Sequence, residues 1–437
     1  MSQQTDFKAL VAFAAESLNG HNRPWLDTLR QDGLARFDAL GLPTSRNEEW
    51  KYTSTRGIRD GAFAIRHDGP CDPPEGIDDL RPENAIELVY IDGLFQPGLT
   101  SGPVAQAGLR ITPFSEAVES RAEALEKALT FYDTESLDAF TGLNTAYLGQ
   151  GLLIEVDSNA VIEPIIHVMH LSTDESDGLI QAPRTILTAG KHAEACLLET
   201  WYGRHDTCYF SNTVTDLFVE EGGNVSYCKI QNESNKAYHV GTTRIQQEAN
   251  SQVHTFTLDT GAQMARHNTN FSLNGEGCDN TLDGLYILRN EQHVDHHTSV
   301  DHRFPHCESS QLYKGLLDDS SRGLFNGKIF VRQPAQKTNA YQLNQNLLLS
   351  PNAHIDTKPQ LEIYADDVRC THGATIGQLE EEEIFYLRSR CISEEDAIKL
   401  LARGYCQDVV YRVKHPALEA FLHQQVRSYF CLKRLDA

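Results

Sequence analysis

The sequence predicts a mainly β chain whose centre is a β-helix or similar solenoid between helical regions. One reason lies between about Gly151 and Val368, where short runs of alternating apolar and polar residues follow one another: LLIEV, IIHVMHL, RTILTAG, ACLLETW, NVSYCKI, VHTFTLD, LYIL and KIFVR. Gly, Asn, Ser or Asp breaks each run, the pattern of short strands. Turn-like positions Gly190, Gly222, Asn250, Glu276 and Ser299 also recur every 23 to 32 residues, as irregular coils require. Period alone fits a sandwich equally well, but some 220 residues of strand exceed one, and stacked coils absorb uneven turns without disturbing a core. Finally, the texture turns helical across Asp366 to Arg390, as if a helical region covered an end of the stack. The expected division is 1–148 mainly helical, 149–373 solenoid and 374–437 helical.

Taken in order, Asp6 to Leu18 has helical spacing, and a second helix starts near Pro24, runs to Leu40 and is stopped by Gly41-Leu42-Pro43. Pro43 to Thr53 is a polar loop carrying one indole, Trp50, and reads as a docking segment; Gly and Pro recur from Gly61 to Pro82. Ile86 to Phe95 and Leu109 to Ile111 read as strands, and Ser115 to Asp133 as one helix with Ser115 as N-cap. After the coils, Val368, Cys370 and His372 share one face of a final strand that Gly373 is expected to end. The acidic turn Glu380 to Glu383 then opens a helix, where carboxylates suit the positive end of the helix dipole. Ser393 with Asp396 predicts a capping box and Gly404 the close of that helix. A last helix follows Pro416, its stripe of Leu418, Phe421, Leu422, Val426 and Phe430 expected to pack within the chain.

Composition excludes several functions. The chain has 437 residues, 40% of them hydrophobic, which suits about three domains with real cores. A net charge of −23 repels nucleic acid and anionic lipid, so neither is an expected partner. The N-terminus lacks a basic stretch followed by an apolar run, and no segment approaches the roughly 18 apolar residues of a membrane span. A cytoplasmic address is expected. Ten cysteines without a C-x-x-C indicate neither a disulfide framework nor a closed zinc site, and most are expected to be reduced and buried.

Chemistry concentrates in two places. HVDHHTSVDHRFPHC, from His293 to Cys307, is the densest group of ligand-type residues, and His293, Asp295 and His297 share one strand face. Such nitrogen and oxygen donors suit iron or zinc, yet side chains aligned on adjacent coils also make purely structural polar ladders. Cys370 and His372 are sparser but stand at the domain junction. Thiolate and imidazole favour iron, copper or zinc, and two residues leave a four-coordinate shell to be completed from elsewhere. Gly323 to Ile329 fails as a phosphate loop, its spacer too short and no Ser or Thr after Lys328; ATP chemistry, if involved, belongs to another subunit. With no nucleophile elbow and no dinucleotide fingerprint, a non-catalytic role is expected.

Six ordered segments resemble the SufB/SufD family of iron–sulfur cluster assembly proteins, and within it the SufD branch: Leu42 to Thr53, Leu143 to Tyr147, Val294 to Gly315, Phe325 to Ser350, Pro359 to Gly377 and Phe385 to Ala397. Gly373 follows His372 where SufB typically has glutamate, and Pro351 stands near the position of SufB's cluster-related cysteine, which makes this chain a poor cluster-bearing scaffold. The resemblance implies a right-handed parallel β-helix between helical domains. It implies pairing with a SufB-like paralogue through the β-helices and docking of a SufC-like ABC ATPase on the C-terminal helical region, and it leaves room for a homodimer of the isolated chain. ATP-driven dimerisation of that ATPase is thought to rearrange the SufB–SufD interface. By motif, His372 matches the histidine proposed to serve iron or cluster assembly there, with Cys370 as its strand neighbour; no tightly bound cofactor is implied, only transient iron or a cluster. The alternatives are a SufB-like scaffold and, outside the family, a β-helix polysaccharide lyase or hydrolase.

Overall fold

A computed structural model describes residues 5, 7, 23–66, 77–133, 137–203 and 206–432. Its core is a parallel β-solenoid of about eight turns, with helices at both ends. Expected helix Asp6 to Leu18 lies almost wholly outside the described residues. Helix α1 (Pro24–Leu40) has proline in its first turn and Gly41 at its C-cap with φ 63°, as its sequence predicts. The short α2 (Arg56–Asp60) leads to strands β1 (Ala85–Ile91), β2 (Leu94–Phe95) and β3 (Leu109–Pro113).

The expected single helix from Ser115 to Asp133 is instead two, α3 (Phe114–Ser120), capped by Pro113 rather than Ser115, and α4 (Ala122–Leu129). Arg121 between them leaves helical geometry (φ −135°) because its guanidinium donates to both oxygens of Glu155, at 2.9 and 2.5 Å. A long-range ion pair thereby overrides continuous helical propensity. Next, α5 (Ala139–Ala146) starts at a true cap, the Asp138 carboxylate accepting from the Thr141 amide at 2.9 Å.

Strands β4 (Gly151–Val156), β5 (Ile165–Ser172), β6 (Ile180–Gln181), β7 (Arg184–Ala189) and β8 (Glu194–Gly203) begin the regular coils. They continue as β9 (Phe210–Val219), β10 (Asn224–Asn232), β11 (Tyr238–Gln247), β12 (Gln252–Asp259), β13 (Met264–Leu273) and β14 (Asp279–Leu288). The last are β15 (His293–His302), β16 (Glu308–Leu317), β17 (Arg322–Val331), β18 (Asn339–Leu348), β19 (His354–Ile363) and β20 (Arg369–Gly377). The short β6 pairs with β9, and from β7 onward successive strands alternate between two sheets. The first runs β2-β1-β5-β8-β10-β12-β14-β16-β18-β20 and the second β19-β17-β15-β13-β11-β9-β7-β4-β3. Neighbours are parallel except β2 on β1 and β3 on β4, which are antiparallel. The sheets thus begin before residue 149 and run on through Gly377.

Between the sheets lies a dry core of side chains such as Leu152, Leu197, Leu217, Val253 and Phe325, each essentially inaccessible. Turn residues keep the coils in step. Gly222, Asn250 and Asn290 take positive φ at the corners, whereas Ser299, expected at a turn, lies inside β15. Gly373 does not end the last strand, since β18 offers β20 a hydrogen-bonding partner through Gly377; Val368 falls just before it.

Three helices follow: α6 (Glu381–Arg388), α7 (Glu394–Val410) and α8 (Pro416–Leu432). The capping box is as expected, Ser393 Oγ accepting from the Asp396 amide at 3.1 Å and donating to its carboxylate at 2.8 Å. Gly404 does not close α7, because the buried Ala402, Cys406, Val409 and Val410 anchor the helix on both sides of it. Leu418, Phe421, Leu422 and Val426 pack against Cys228, Ile230, Leu285 and Leu316 on the outer face of the first sheet. At roughly 1.5–3 kcal/mol per buried apolar side chain, that stripe holds α8 within its own chain. Polar staples add direction: Arg412 reaches Asp283 of β14 at 2.8 Å, and Lys314 of β16 reaches Asp408 at 2.6 Å.

Candidate interfacial site at the open end of the solenoid

The two ends of the solenoid differ. At the last coil, among the described residues, β20 pairs only with β18 and β19 only with β17, so each presents one unpaired edge. Burial falls accordingly. Seven consecutive residues of β16 are buried, against only Ile355 in β19 and none in β20. Ile363, Tyr364 and Ile376 leave apolar surface beside the free edges. Such a row of unused amides and carbonyls is a template for a strand of another chain.

His372 stands in that edge strand and is exposed, while its in-register neighbour Gln342 is fully buried. Gln342 donates to Gln311 at 2.7 Å, and Gln311 donates to Thr298 Oγ1 at 2.7 Å. His372 therefore terminates an interior polar row at the point where the row emerges from the protein. Cys370 behaves differently. It is half-buried beside Val331, Ala335 and Ala340, and burial pushes its thiol up, partly offset by the backbone at Ala340. The imidazole is the ready donor; the thiol must shed a proton before it can ligate. Two residues on one strand face stand roughly 6–7 Å apart along the chain, so one ion reached by both requires their side chains to converge.

The other suspected group is divided by the sheet. His293, Asp295 and His297 do share the outer face of β15, but that face is consumed by the N-terminal docking segment. Asp295 accepts from Arg266 at 2.7 Å and Thr53 Oγ1 at 2.5 Å, and its other oxygen lies 3.0 Å from His297 Nε2. Thr53 Oγ1 also meets His293 Nε2 at 2.9 Å, and Glu49 takes the other side of His297 at 3.2 Å. Trp50 covers the Arg266 guanidinium at 3.9 Å. Burial opposes charge on His297, yet Asp295 and Glu49 outweigh it and raise its pKa, while the bond from His297 holds Glu49 down at about 2. These donors bind one another; the arrangement is a clamp for the segment read as docking. Among the described residues, no group of three or more His, Cys, Asp or Glu is arranged to hold a metal ion.

On the inner face, His296 joins a column that local sequence patterns do not announce. His170 stacks on Trp201 at 3.6 Å, and His239, His267 and His296 follow at 5.1 to 5.3 Å intervals before Tyr313. Asp259 sits between His267 (2.7 Å) and His296 (3.0 Å). The available signal was imidazole and indole recurring about one coil apart, as at His267 and His296.

Comparison with known proteins places this geometry. Residues 170–405 match the family model "SUF system FeS cluster assembly, SufBD core domain", and residues 1–168 match "SufBD protein N-terminal region". An iron–sulfur cluster assembly SufBD family protein of Synechocystis sp. is 30% identical over 406 residues, covering 91% of this chain and 89% of the relative. The iron–sulfur cluster assembly protein SufD of Escherichia coli is 29% identical over 393 residues, 89% of each chain. SufD of Bacillus subtilis is 24% identical over 412 residues, 89% of this chain and 91% of that one. With both halves of the chain matched and the open-ended solenoid between them, this chain belongs to the SufB/SufD family of iron–sulfur cluster assembly proteins, close to SufD.

Proposed function

We propose that this chain is a cytoplasmic, non-catalytic SufD-like subunit of a SUF assembly complex, pairing with a SufB-like chain through the free edges of β19 and β20. His372, with Cys370, then offers half of a site for iron or a nascent cluster, which arrives as substrate and finds its remaining ligands on the partner. The observation carrying this reading is the exposure of His372 on an edge strand, in register with the buried Gln342. An ion at an interface binds according to assembly state, since coordination distances of about 2.0–2.3 Å do not survive a shift of an ångström or two.

The C-terminal helices are the docking site for a SufC-like ATPase. Phe385 (71% exposed) and Tyr386 (55%) on α6 and Tyr411 (66%) after α7 project into solvent, while the buried side of α7 rests on β14 and β16. Force applied to α7 by an ATPase reaches those strands through Arg412–Asp283 and Lys314–Asp408, and from them β18 and β20.

Anaerobic affinity purification of the chain with its SufB-like and SufC-like partners, followed by cluster analysis in cells, tests both parts. His372→Ala is expected to leave the complex assembled while cluster formation falls. Normal cluster formation in that variant would remove His372 from the site, and failure of the wild-type chain to capture a SufB-like partner would remove the pairing.

A further inference from the structure

Among the described cysteines, two outside the proposed interface are arranged unlike the others. Cys278 and Cys307 each immediately precede a strand, β14 and β16, and those strands are in register from Asp279↔Glu308 onward. The backbone ladder includes the cysteines themselves: Glu308 N donates to Cys278 O at 2.8 Å, and Asn339 N to Cys307 O at 3.0 Å. Adjacent strands lie about 4.8 Å apart, which falls within the Cα separation that a disulfide spans. Both Sγ atoms already meet at one acceptor, Gly275 O, at 3.2 Å from Cys278 and 3.3 Å from Cys307.

Both cysteines border the apolar core between the sheets, but a histidine stands beside them. His302 is fully buried beside the pair, its Nε2 spent on Ser309 Oγ at 3.0 Å and its Nδ1 without a hydrogen-bond partner. Cys278 and His302 beside it favour the Cys307 thiolate and lower its pKa, against the opposing effect of burial. By contrast, Cys196 and Cys228 sit among Leu198, Ile230 and Leu285, where burial pushes both thiols up, and behave as core hydrophobes. The pair is fully buried. The turns around Glu276 and Pro305 close over it, tied by a backbone bond from Gly277 N to Pro305 O at 3.3 Å and by Arg303 to Asn274 at 2.9 Å.

We propose that Cys278 and Cys307 form a reversible redox site, a dithiol stacked on successive coils that hydrogen peroxide or another small hydroperoxide converts to an intrachain disulfide. The Cys307 thiolate attacks one peroxide oxygen, the O–O bond breaks, and a sulfenic acid and hydroxide result. The Cys278 sulfur then displaces the sulfenic oxygen; the S–O bond breaks, the S–S bond forms, and the departing oxygen takes up protons as water. Two thiols and one peroxide become one disulfide and two waters. The link would staple the two coils that carry Asp283 and Lys314, the residues on which α7 rests.

The test treats the full-length native protein at neutral pH with one equivalent of hydrogen peroxide, alkylates the remaining thiols and maps peptides without reduction. Loss of two thiols per chain is expected, in a cross-linked peptide pair holding Cys278 and Cys307 that dithiothreitol separates. Cys307→Ser abolishes the link, and Cys278→Ser leaves a sulfenic acid at Cys307 that dimedone captures. Oxidation confined to the more accessible Cys370 or Cys391 overturns the proposal, as does a Cys278–Cys307 link that forms only in urea.

Discussion

Replacing His167 with glutamine isolates what one buried imidazole does to stability as pH falls. His167 lies in β5, inaccessible to solvent, with Nε2 2.8 Å from Thr200 Oγ1 and Nδ1 unpartnered. Burial, helped by the Arg81 charge, lowers its pKa to about 3, whereas an unfolded histidine titrates near 6.5. A folded pKa below the unfolded one means that the stability is complete above about 6.5 and is lost as pH falls towards the folded value. At about pH 5.5 roughly nine-tenths of the unfolded chains carry a proton here and the folded ones do not; relative to about pH 7.5 this costs about 1.3 kcal/mol. His167→Gln keeps a side-chain group that reaches Thr200 but cannot titrate. Urea unfolding of both proteins at the two pH values should show the wild type's advantage shrinking by about 1.3 kcal/mol, all other titrating groups being common to both and cancelling. An advantage equal at the two pH values would refute the reasoning and place a charged His167 inside the fold.

Three further outcomes follow from the staples. Asp216 is fully buried and takes bonds from both Arg184 (2.8 and 2.9 Å) and Arg244 (2.7 and 3.0 Å), so Asp216→Asn strands two guanidinium groups and should cost about 3–5 kcal/mol in urea unfolding. Trp50→Ala removes the indole from Arg266 and Phe140 (5.2 Å), a loss of about 3–5 kcal/mol that should open the segment from Pro43 to Thr53 to limited proteolysis. Arg412→Met leaves Asp283 buried without its cation; the carboxyl, already raised to about 6 by burial despite Arg412, should rise further, readable as a shifted titration of its carboxyl carbon in NMR.

Features whose causes are local were legible in the sequence. Pro24 to Leu40 folds within its predicted bounds because proline and glycine mark both ends, and the Ser393–Asp396 cap needs only four residues to form. The alternation that predicts a solenoid is likewise read one strand at a time, and the same period placed Cys370 and His372 on the last strand. Features with distant causes were not legible. Arg121 breaks a helix for the sake of Glu155, and β20 passes through Gly373 because β18 lies beside it. The ligand-like face of β15 is spent on Thr53, some 240 residues earlier. No local pattern reveals that pairing, just as none reveals that His239, His267 and His296 form one column.

The antiparallel strands β2 and β3 have a consequence for how many chains associate. They reverse direction at the first coil, where β2 is only two residues long, so that rim offers no parallel ladder for another solenoid to continue. Among the described residues, the opposite rim is the one that presents free parallel edges. A body with one adhesive end forms a pair and stops, since growth into a fibre requires complementary surfaces at both ends. On the proposed pairing, the chain keeps a long, adhesive pair of edges at one end without the hazard of polymerising.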